Sequence, residues 1–280
     1  MLIKRGYKRL FKENGFADFD SFMGFSGGEV LKKISVRSIT KFYLSRDGHK
    51  IGFYLKRHSQ KPRLSTKVKG LLKKPSPSEA RIEFEAAEAL AEAKVPCALA
   101  AAFGERSTNQ KVESFLVTEA LDGYTQLEKM VFDFAPPLTK AMIEKKRALI
   151  DGVAKLASSL HRAGFNHKDL YLTHILAKFE EPAGYSLKLI DLQRVEHRTS
   201  GRRRWLVKDI AALNYSSPAE IITRTDRLRF YKAYTARQKL GKAERAFIKS
   251  VTEKTARIAV HTVKMYKRRE ERKKRGLLER

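Results

Sequence analysis

The sequence predicts an α+β fold in two lobes: an N-terminal antiparallel sheet with one helix, and a larger, mostly helical C-terminal lobe. Apolar and polar residues alternate at period two between residues 29 and 57, as they do in β-strands. A clear amphipathic helical pattern covers residues 79–94, and helical patterns dominate from residue 138 onward. Because the strands precede the long helices rather than alternate with them, the order favours α+β over α/β.

The composition limits the class of protein. With 280 residues, of which 42% are apolar, the chain can bury the core of one large domain or of two small lobes. It has no run of about 18 apolar residues and no apolar centre of a signal peptide, so we expect neither a membrane span nor export. One cysteine, Cys97, excludes an internal disulfide and suits a reducing compartment, and the histidines show no zinc spacing. We therefore predict a cytoplasmic protein in which any metal arrives with a nucleotide.

The net charge is the second strong feature of the sequence. Lys and Arg number 59 against 31 Asp and Glu, which leaves a formal charge of +28. A field of this size favours polyanionic partners, namely nucleic acid, anionic lipid, phosphorylated sugar or an acidic protein, without choosing among them. A basic surface that serves only solubility stays open as the alternative.

The N-terminal stretch 2–12 has a basic and an apolar helical face. Such a helix either lies on an anionic membrane surface or docks onto the core of its own protein, and the sequence leaves both interpretations open. The apolar face contains Leu2, Ile3, Tyr7, Leu10 and Phe11.

The strands of the N-terminal lobe carry the first candidate site residues. Asp47-Gly48 is a hairpin-turn signal between two alternating runs. The pair Gly27-Gly28 precedes the first strand, where it is either an ordinary turn or a close approach of backbone to a phosphate. Lys56 lies on the strand face opposite its apolar neighbours, so it needs a partner to have a function.

That partner is predicted on the helix at 79–94. Glu83 adjoins the apolar stripe of this helix (Phe84, Ala87, Leu90 and Ala91) and is expected to turn inward and pair with Lys56. Such a pair holds the ammonium group on nucleotide phosphates. Residues 57–78, which precede this helix, read as a basic connector that either attracts anions or is padding.

Two further strands, at 98–104 and 112–121, lead to a connector between the lobes. Residues 118–121 run into Asp122-Gly123, and we expect adenine to hydrogen-bond there with backbone from Glu119 to Leu121. Backbone contacts leave no side-chain signature in the sequence.

The stretch 161–176 is the most informative part of the chain. A long helical pattern at 138–162 ends before Gly164, and a polar loop with His167, Lys168 and Asp169 follows. An apolar, strand-like run at 187–192 then contains a single acid, Asp191. A helix, a polar loop with one acid and a strand with a second acid indicate a phosphoryl-transfer site. One acid orients a hydroxyl and takes its proton, and the other holds Mg²⁺ on the nucleotide.

The rest of the chain is basic and helical. A patch containing Arg194, Arg198 and residues 202–204 precedes a predicted helix at 205–215, with Asp209 near its start. The last residues, 266–280, are predicted to form a solvated or frayed basic tail.

Five segments in this order resemble the protein-kinase-like fold and, more narrowly, the bacterial lipopolysaccharide kinase family, which phosphorylates inner-core heptose or Kdo sugars. The resemblance covers about residues 25–217, and the Tyr171-x-x-His174 variant looks more like the heptose kinases. The segments are FYLKRH (53–58), ARIEFEAAEAL (80–90), LHRAGFNHKDLYLTHIL (160–176), LIDLQR (189–194) and RRRWLVKDIAALNYSS (202–217).

The resemblance implies ATP and Mg²⁺ as cofactors and a role for each candidate. Lys56 would contact the α- and β-phosphates, with Glu83 as its anchor, and Gly27-Gly28 would cover the phosphates. Asp169 would act as the catalytic base. Asp191 would bind Mg²⁺, and Asp209 would brace the catalytic loop.

Two departures from the kinase pattern concern the metal and the loop. His174 stands where kinases have the asparagine that binds a second metal ion; it is a metal candidate beside Asp191, and it otherwise binds phosphate or shapes the loop. The glycine of the Asp-Phe-Gly motif is replaced by Gln193. Since few residues separate Asp191 from Trp205, we expect no activation by loop phosphorylation.

We therefore predict an ATP-dependent kinase that acts on a sugar, most simply a heptose, of the lipopolysaccharide inner core. A protein or small-sugar kinase of the same fold, and a nucleic-acid-binding protein without catalysis, are the alternatives. The predicted segments are the amphipathic N-terminus (1–24), a β-rich nucleotide-binding lobe (25–121), a catalytic and acceptor lobe (122–265) and the tail (266–280).

The predicted partners follow from the charge. The acceptor glycolipid is a polyanion, and Arg198, Arg202, Arg203 and Arg204 are expected to line its site. The N-terminal stretch and the tail are expected to hold the enzyme on the inner face of the anionic inner membrane. An acidic carrier protein stays open as a further partner, and nucleic acid is not expected.

Overall fold

The structure, a computed structural model, describes residues 1–60, 77–108, 111–182 and 184–274. These residues form two compact units. The first unit contains Met1–Tyr124 and Lys188–Val195, and the second contains Thr125–Leu187 and the described residues from Glu196 onward. The segment that carries Asp191 therefore belongs with the N-terminal unit, although it follows much of the second unit along the chain. The four-segment division drawn from the sequence stays a prediction.

The first unit is built on a six-stranded antiparallel sheet with the order β1-β5-β6-β4-β3-β2. Two short helices and one long helix accompany the sheet. In chain order the elements are β1 (Leu2–Ile3), α1 (Lys8–Glu13), α2 (Phe19–Gly24), β2 (Glu29–Ile34), β3 (Arg37–Arg46), β4 (His49–Gln60), α3 (Glu79–Glu92), β5 (Ala100–Ser107) and β6 (Val112–Glu119).

The hairpin between β3 and β4 confirms the turn prediction. Asp47 has φ 51° and Gly48 has φ 78°, which are the left-handed conformations that a two-residue hairpin turn needs. β4 continues to Gln60, so the first residues of the predicted basic connector are strand instead. The connector's residues 61–76 lie outside the described residues.

The N-terminal stretch differs from the single amphipathic helix that the sequence predicted. Its first residues form β1, a 3₁₀ helix covers Arg5–Tyr7, and α1 follows. Leu10 and Phe11 are almost fully buried, in a cluster with Phe22 and Phe53. The apolar face is thus part of the core of the first unit, which confirms docking onto the protein. Leu2, at the start of this face, remains 43% exposed, so attachment of the stretch to a membrane surface stays a prediction.

Helix α3 confirms the predicted helix with small changes. Ser78 caps its N-terminus by accepting a hydrogen bond from the backbone N–H of Arg81 at 3.1 Å. The buried face includes Ala80, Glu83, Ala87 and Leu90, whereas Ala91, which the sequence placed on the apolar stripe, is exposed.

The second unit is mostly helical, with two small sheets of order β10-β9-β7 and β11-β8. Its helices pack in pairs, α5 with α7 and α6 with α8. In chain order the elements are β7 (Thr125–Gln126), α4 (Leu127–Met130), α5 (Lys140–Arg162), β8 (Phe165–Asn166), β9 (Ile175–Glu180), β10 (Gly184–Leu189), β11 (Glu196–His197), α6 (Arg202–Ser216), α7 (Arg224–Thr235) and α8 (Lys242–Lys274).

The end of α5 shows why a glycine follows it. Gly164 has φ 89°, as the helix-end prediction requires. A β-carbon on Gly164 would also lie 2.5 Å from Nε2 of His197 on β11. Packing as well as backbone conformation therefore excludes a side chain at this position.

Three boundaries in the C-terminal half differ from the sequence prediction. β10 ends at Leu189, so Asp191 lies in the following turn rather than in the strand. α6 begins at Arg202, which places Asp209 in the middle of the helix rather than near its start. The predicted tail is helical as far as Lys274, as the end of α8, and residues 275–280 lie outside the described part.

None of the helices in the described part of the chain combines the length and the apolar character needed to cross a bilayer.

The buried N-terminal aromatic residue gives a stability prediction. Replacing Phe11 by Ala should lower the free energy of unfolding by about 3–5 kcal/mol, because it leaves a cavity among packed rings. The matched control is Leu2→Ala, at a residue 43% exposed, which should change stability by less than about 0.5 kcal/mol. Chemical denaturation of both variants measures this. Equal, small losses would show that the N-terminal stretch is not part of the core.

Candidate active site

The first unit brings together the predicted lysine and glutamate. Lys56 on β4 donates a hydrogen bond to Oε1 of Glu83 on α3 at 2.5 Å. The Glu83 side chain is only 4% exposed and that of Lys56 14%. A buried carboxylate is stable only when it is paired and hydrogen-bonded, so this contact fixes α3 against the sheet.

Gln193 completes the pairing of Glu83. Its Nε2 donates to Oε2, the other carboxylate oxygen of Glu83, at 3.2 Å. Gln193 lies in a short 3₁₀ helix, Leu192–Arg194, directly after Asp191, which has the left-handed conformation φ 57°, ψ 63°. The segment that carries Asp191 is thus tied to α3. The sequence showed Gln193 as a departure from the kinase glycine but gave no partner for it.

A second contact between the same two elements was missed in the sequence. His58 Nδ1 lies 3.0 Å from Oε2 of Glu79. His58 follows Lys56 by two residues on the strand, and Glu79 precedes Glu83 by four residues on the helix, so each pair shares one face of its element. Burial lowers the pKa of the His58 imidazole, which favours a neutral ring that donates its Nδ1–H. The spacing of two residues from Lys56 to His58 and of four residues from Glu79 to Glu83 could have predicted this contact from the sequence.

Gly27 and Gly28 lie exposed just before β2. Gly28 has φ 87°, and a β-carbon there would lie 2.4 Å from the carbonyl oxygen of Lys41. Close approach to β3 therefore already requires glycine at this position. The predicted role of the pair in covering phosphates stays a prediction.

The predicted adenine-binding backbone is firmly held. The N–H of Ala120 donates to the Gly52 carbonyl at 2.8 Å, and the Leu121 carbonyl accepts from the N–H of Tyr124 at 3.1 Å. The side chain of Glu119 accepts a hydrogen bond from the hydroxyl of Tyr7. Burial, and then this carboxylate, raise the pKa of Tyr7, so the hydroxyl stays protonated as a donor. The N-terminal stretch thereby contacts the end of β6.

In the second unit, Asp209 organises the loop that precedes Asp169. Its side chain is fully buried, and it accepts backbone N–H bonds from His167 at 2.8 Å and from Lys168 at 2.7 Å. Nε2 of His161 lies 3.2 Å from the same carboxylate. Lys168 has the positive φ of 67°, which a residue with a side chain keeps only when its surroundings enforce it. Asp209 therefore braces the loop in the way the resemblance implies.

His174 contacts the same loop from its other end. Its Nδ1 lies 2.7 Å from the backbone carbonyl oxygen of Asp169. Because a carbonyl only accepts, Nδ1 carries the hydrogen, and a neutral ring then has its lone pair on Nε2. The ring also stacks on His167, with 5.7 Å between centroids. Of the three roles that the sequence left open for His174, shaping the loop is the one that these contacts support directly.

The arginines expected at the acceptor site fall into two groups. The guanidinium carbon of Arg198 lies 4.2 Å from the centroid of the Trp205 ring, and Arg198 also pairs with Glu196. Arg202 donates a hydrogen bond to the backbone carbonyl of His161. These two have internal contacts. Arg203 and Arg204 are exposed on α6.

Glu196 links this cluster to the loop of Asp169. It also pairs with Lys168, and the hydrogen bond from Lys168 is the largest effect that lowers the pKa of the Glu196 carboxyl. The ammonium of Lys168 lies 5.3 Å from the centroid of Trp205.

The predicted site residues therefore form two groups. The first unit holds Lys56, Glu83 and Asp191, with Gly27, Gly28, Glu119 and Leu121 in the same unit, and the second holds Asp169 and His174. Within the described ranges no group of three His, Cys, Asp or Glu side chains forms a metal cluster. Magnesium in kinases is held by one or two carboxylates together with phosphates, so such a cluster is not a requirement.

A strand lysine paired with a buried helix glutamate on an antiparallel sheet, and a loop with an aspartate, Asp169, in a helical unit, define the class: a protein-kinase-like phosphotransferase. The chain belongs to the lipopolysaccharide kinase (Kdo/WaaP) family, which it matches over residues 26–234.

Three similar proteins illustrate the family. The lipopolysaccharide core heptose(I) kinase WaaP of Pseudomonas aeruginosa is 38% identical over 164 residues, which are 56% of this chain and 60% of that protein, less than two thirds of its length. WaaP of Escherichia coli is 31% identical over 85% of this chain and 89% of its own. A solved structure of WaaP in complex with acyl carrier protein has a TM-score of 0.68 and 30% identity, and the match covers 91% of this chain and 98% of that one.

The buried aspartate gives a prediction for the loop. Asp209→Ala should lower the free energy of unfolding by about 3 kcal/mol, because two backbone N–H groups lose their acceptor inside the protein. Asp209→Asn keeps one acceptor oxygen and should cost less. The matched control is Asp151→Ala, which breaks a partly exposed pair with Arg229 and should cost about 1 kcal/mol or less. Chemical denaturation measures all three, and similar losses for Asp209→Ala and Asp151→Ala would contradict the bracing role.

Proposed function

We propose that this protein is an ATP-dependent kinase that transfers the γ-phosphate to a heptose hydroxyl of the lipopolysaccharide inner core. The buried Lys56–Glu83 pair is the observation that carries the proposal, because a lysine fixed in this way is the phosphate-binding device of kinases. The names of the similar proteins favour heptose as the acceptor sugar.

The residues of the first unit would bind the nucleotide. Lys56 contacts the α- and β-phosphates, and Glu83 holds its ammonium in place. Gly27-Gly28 covers the phosphates with backbone, and the backbone from Glu119 to Leu121 hydrogen-bonds adenine. The hydrogen bonds that hold this backbone support a preformed adenine site.

Asp169 would act as the catalytic base. It orients the attacking sugar hydroxyl and accepts its proton as the hydroxyl oxygen bonds to the γ-phosphorus, while the bond from that phosphorus to the β–γ bridging oxygen breaks and ADP leaves. The buried Asp209 contacts the backbone before Asp169 and the half-buried His174 contacts the Asp169 carbonyl, so the backbone that carries the carboxylate is held on both sides. These contacts support a base whose direction is fixed before the acceptor binds.

Asp191 is the residue whose chemistry fits Mg²⁺. Its carboxylate supplies the hard oxygen ligands that Mg²⁺ prefers, together with phosphate oxygens of the nucleotide. The fit of His174 is poorer, since a ring nitrogen is a softer ligand and its Nδ1 faces the Asp169 carbonyl. Bound there, the ion would neutralise negative charge on the phosphates.

The charge of the protein supports anionic partners for this reaction. The acceptor core carries carboxylates and phosphates, which a protein of net charge +28 attracts. An acyl carrier protein, the partner in the related solved structure, is a proposed acidic partner. Attachment to the anionic inner face of the inner membrane would use mainly the basic end of α8, because Leu10 and Phe11 of the N-terminal stretch are buried.

The decisive experiment measures transfer of labelled γ-phosphate from ATP with Mg²⁺ to dephosphorylated lipopolysaccharide core. Asp169→Asn should lower kcat at least about 10³-fold through loss of the base, with unchanged affinity for ATP. Asp191→Ala should abolish transfer. Labelling of protein or of another sugar instead of the core would support kinase activity but contradict the proposed acceptor. Salt-dependent binding of nucleic acid without ATP turnover would reject the proposal.

Gln193 gives a separate prediction for the nucleotide site. Gln193→Ala should weaken binding of a fluorescent ATP analogue about fivefold, because the Asp191 segment loses its contact with Glu83. Gln193→Glu should weaken it further, since it places a second carboxylate beside Glu83. Gln238→Glu, the same charge change at an exposed residue, is the control. Unchanged affinity in both Gln193 variants would show that this contact does not position the nucleotide site.

A further inference from the structure

A groove between α6 and α8 of the second unit has a volume of about 550 Å³. This size is within the range of pockets that bind small molecules and short oligosaccharides. Its lining residues are Arg203, Arg204, Trp205, Val207, Lys208, Ser250, Lys254 and Arg257.

The groove is lined by cations without acids. Five of its eight lining residues are Lys or Arg, three from α6 and two from α8, and none is Asp or Glu. Among the residues that the structure describes, no ion-pair partner faces Arg203, Arg204, Lys254 or Arg257. Like charges that converge on one groove repel one another, and a bound anion removes that repulsion.

A second groove of similar size shows that basic character alone does not produce this arrangement. It has a volume of about 620 Å³, is lined mainly by residues of α5 and α7, and contains the cations Lys155, Arg229, Lys232 and Arg237. Asp151 also lines it and pairs with Arg229 at 3.0 Å, and no aromatic residue is present. Its charge is thus partly compensated within the protein.

Trp205 adds a surface suited to a sugar. Its indole lines the groove and is surrounded by cations, with Arg204 at 5.4 Å and Lys208 at 5.6 Å from the ring centroid. A flat aromatic face covers the C–H face of a sugar ring, while charged groups and the hydroxyl of Ser250 reach its polar substituents. This combination favours an anionic sugar over a bare ion.

The groove also adjoins the loop of the proposed base. Lys168, which directly precedes Asp169, lies with its ammonium 5.3 Å from the centroid of Trp205. A ligand that covers Trp205 is therefore next to the residue that precedes the base, within one unit of the protein.

We infer that the groove of Arg203, Arg204, Trp205, Lys208, Lys254 and Arg257 binds carboxylate- or phosphate-bearing sugars of the acceptor that adjoin the sugar being phosphorylated. The inference rests on the proposed function, since it names the part of the acceptor that the enzyme recognises beside the reacting hydroxyl. Bidentate contacts from guanidinium groups suit carboxylate and phosphate equally.

The test uses the double variant Lys254→Ala/Arg257→Ala in the full chain. Its matched control is Lys155→Ala/Lys232→Ala, which removes the same charge from the second groove. Both pairs combine one exposed and one half-buried residue, so the fold should not change. The acceptor is deacylated core oligosaccharide that lacks phosphate on the heptose to be phosphorylated. It is used with and without the phosphates on its other sugars, to distinguish carboxylate from phosphate recognition.

The groove variant should raise KM for the oligosaccharide about tenfold, with kcat and the KM for ATP within twofold, because binding is lost uniformly from ground and transition states. Lys254→Arg should retain the KM of the unmodified protein. Titration of the oligosaccharide without nucleotide should show the same tenfold loss of affinity. The control variant should leave all three quantities unchanged.

Other outcomes overturn the inference. Equal effects in the two double variants would show that acceptor binding depends on the total positive charge of the protein and not on this groove. An unchanged KM together with lost binding of acyl carrier protein would assign the groove to a protein partner. If the unmodified protein binds the oligosaccharide through this groove but transfers no phosphate to it, the proposed function fails and the groove stands. If transfer is intact and insensitive to the groove variant, the groove fails and the function stands.

Discussion

A carboxylate that is buried must receive donors on its oxygens, and each unit of this protein is organised by one such group. In the first unit, Glu83 accepts a hydrogen bond from Lys56 on one oxygen and from Gln193 on the other. These two bonds connect β4, α3 and the segment that carries Asp191. In the second unit, Asp209 accepts hydrogen bonds from the backbone N–H groups of His167 and Lys168 and so fixes the loop before Asp169. Because an unpaired buried charge costs several kcal/mol, these contacts persist and carry the positions of the chemical groups with them.

The departures from the kinase pattern acquire a physical meaning in these contacts. Gln193, which stands in place of the kinase glycine, donates a hydrogen bond to Glu83. His174, which stands in place of the kinase asparagine, contacts the Asp169 carbonyl. Each replacement supplies a hydrogen bond that holds a segment bearing an acid. Activation without loop phosphorylation, expected from the short distance along the sequence from Asp191 to Trp205, stays a prediction.

The large positive charge is used unevenly. Near the N-terminus, Lys4 pairs with Glu88 and the apolar residues enter the core, so this stretch stabilises the first unit. Arg198, which precedes α6, and Arg202, the first residue of α6, have internal contacts, while Arg203 and Arg204 face a groove lined by further cations. Composition reports the sum of these charges, and only their partners separate structural cations from those available to a ligand.

After the N-terminal stretch, the sequence by itself determined the types and order of the main elements and the candidate chemistry. The period-two runs, the Asp47-Gly48 turn, the helix at 79–94 and the motifs around Asp169 and Asp191 depend on neighbours within a few residues, and the structure has the corresponding elements. The tertiary structure decided that Leu10 and Phe11 of the N-terminal stretch enter the core. It also decided the partners of His58, Gln193, His174 and Asp209. Glu83 and Gln193 are 110 residues apart, and such a contact depends on how whole elements pack, which local periodicity does not encode.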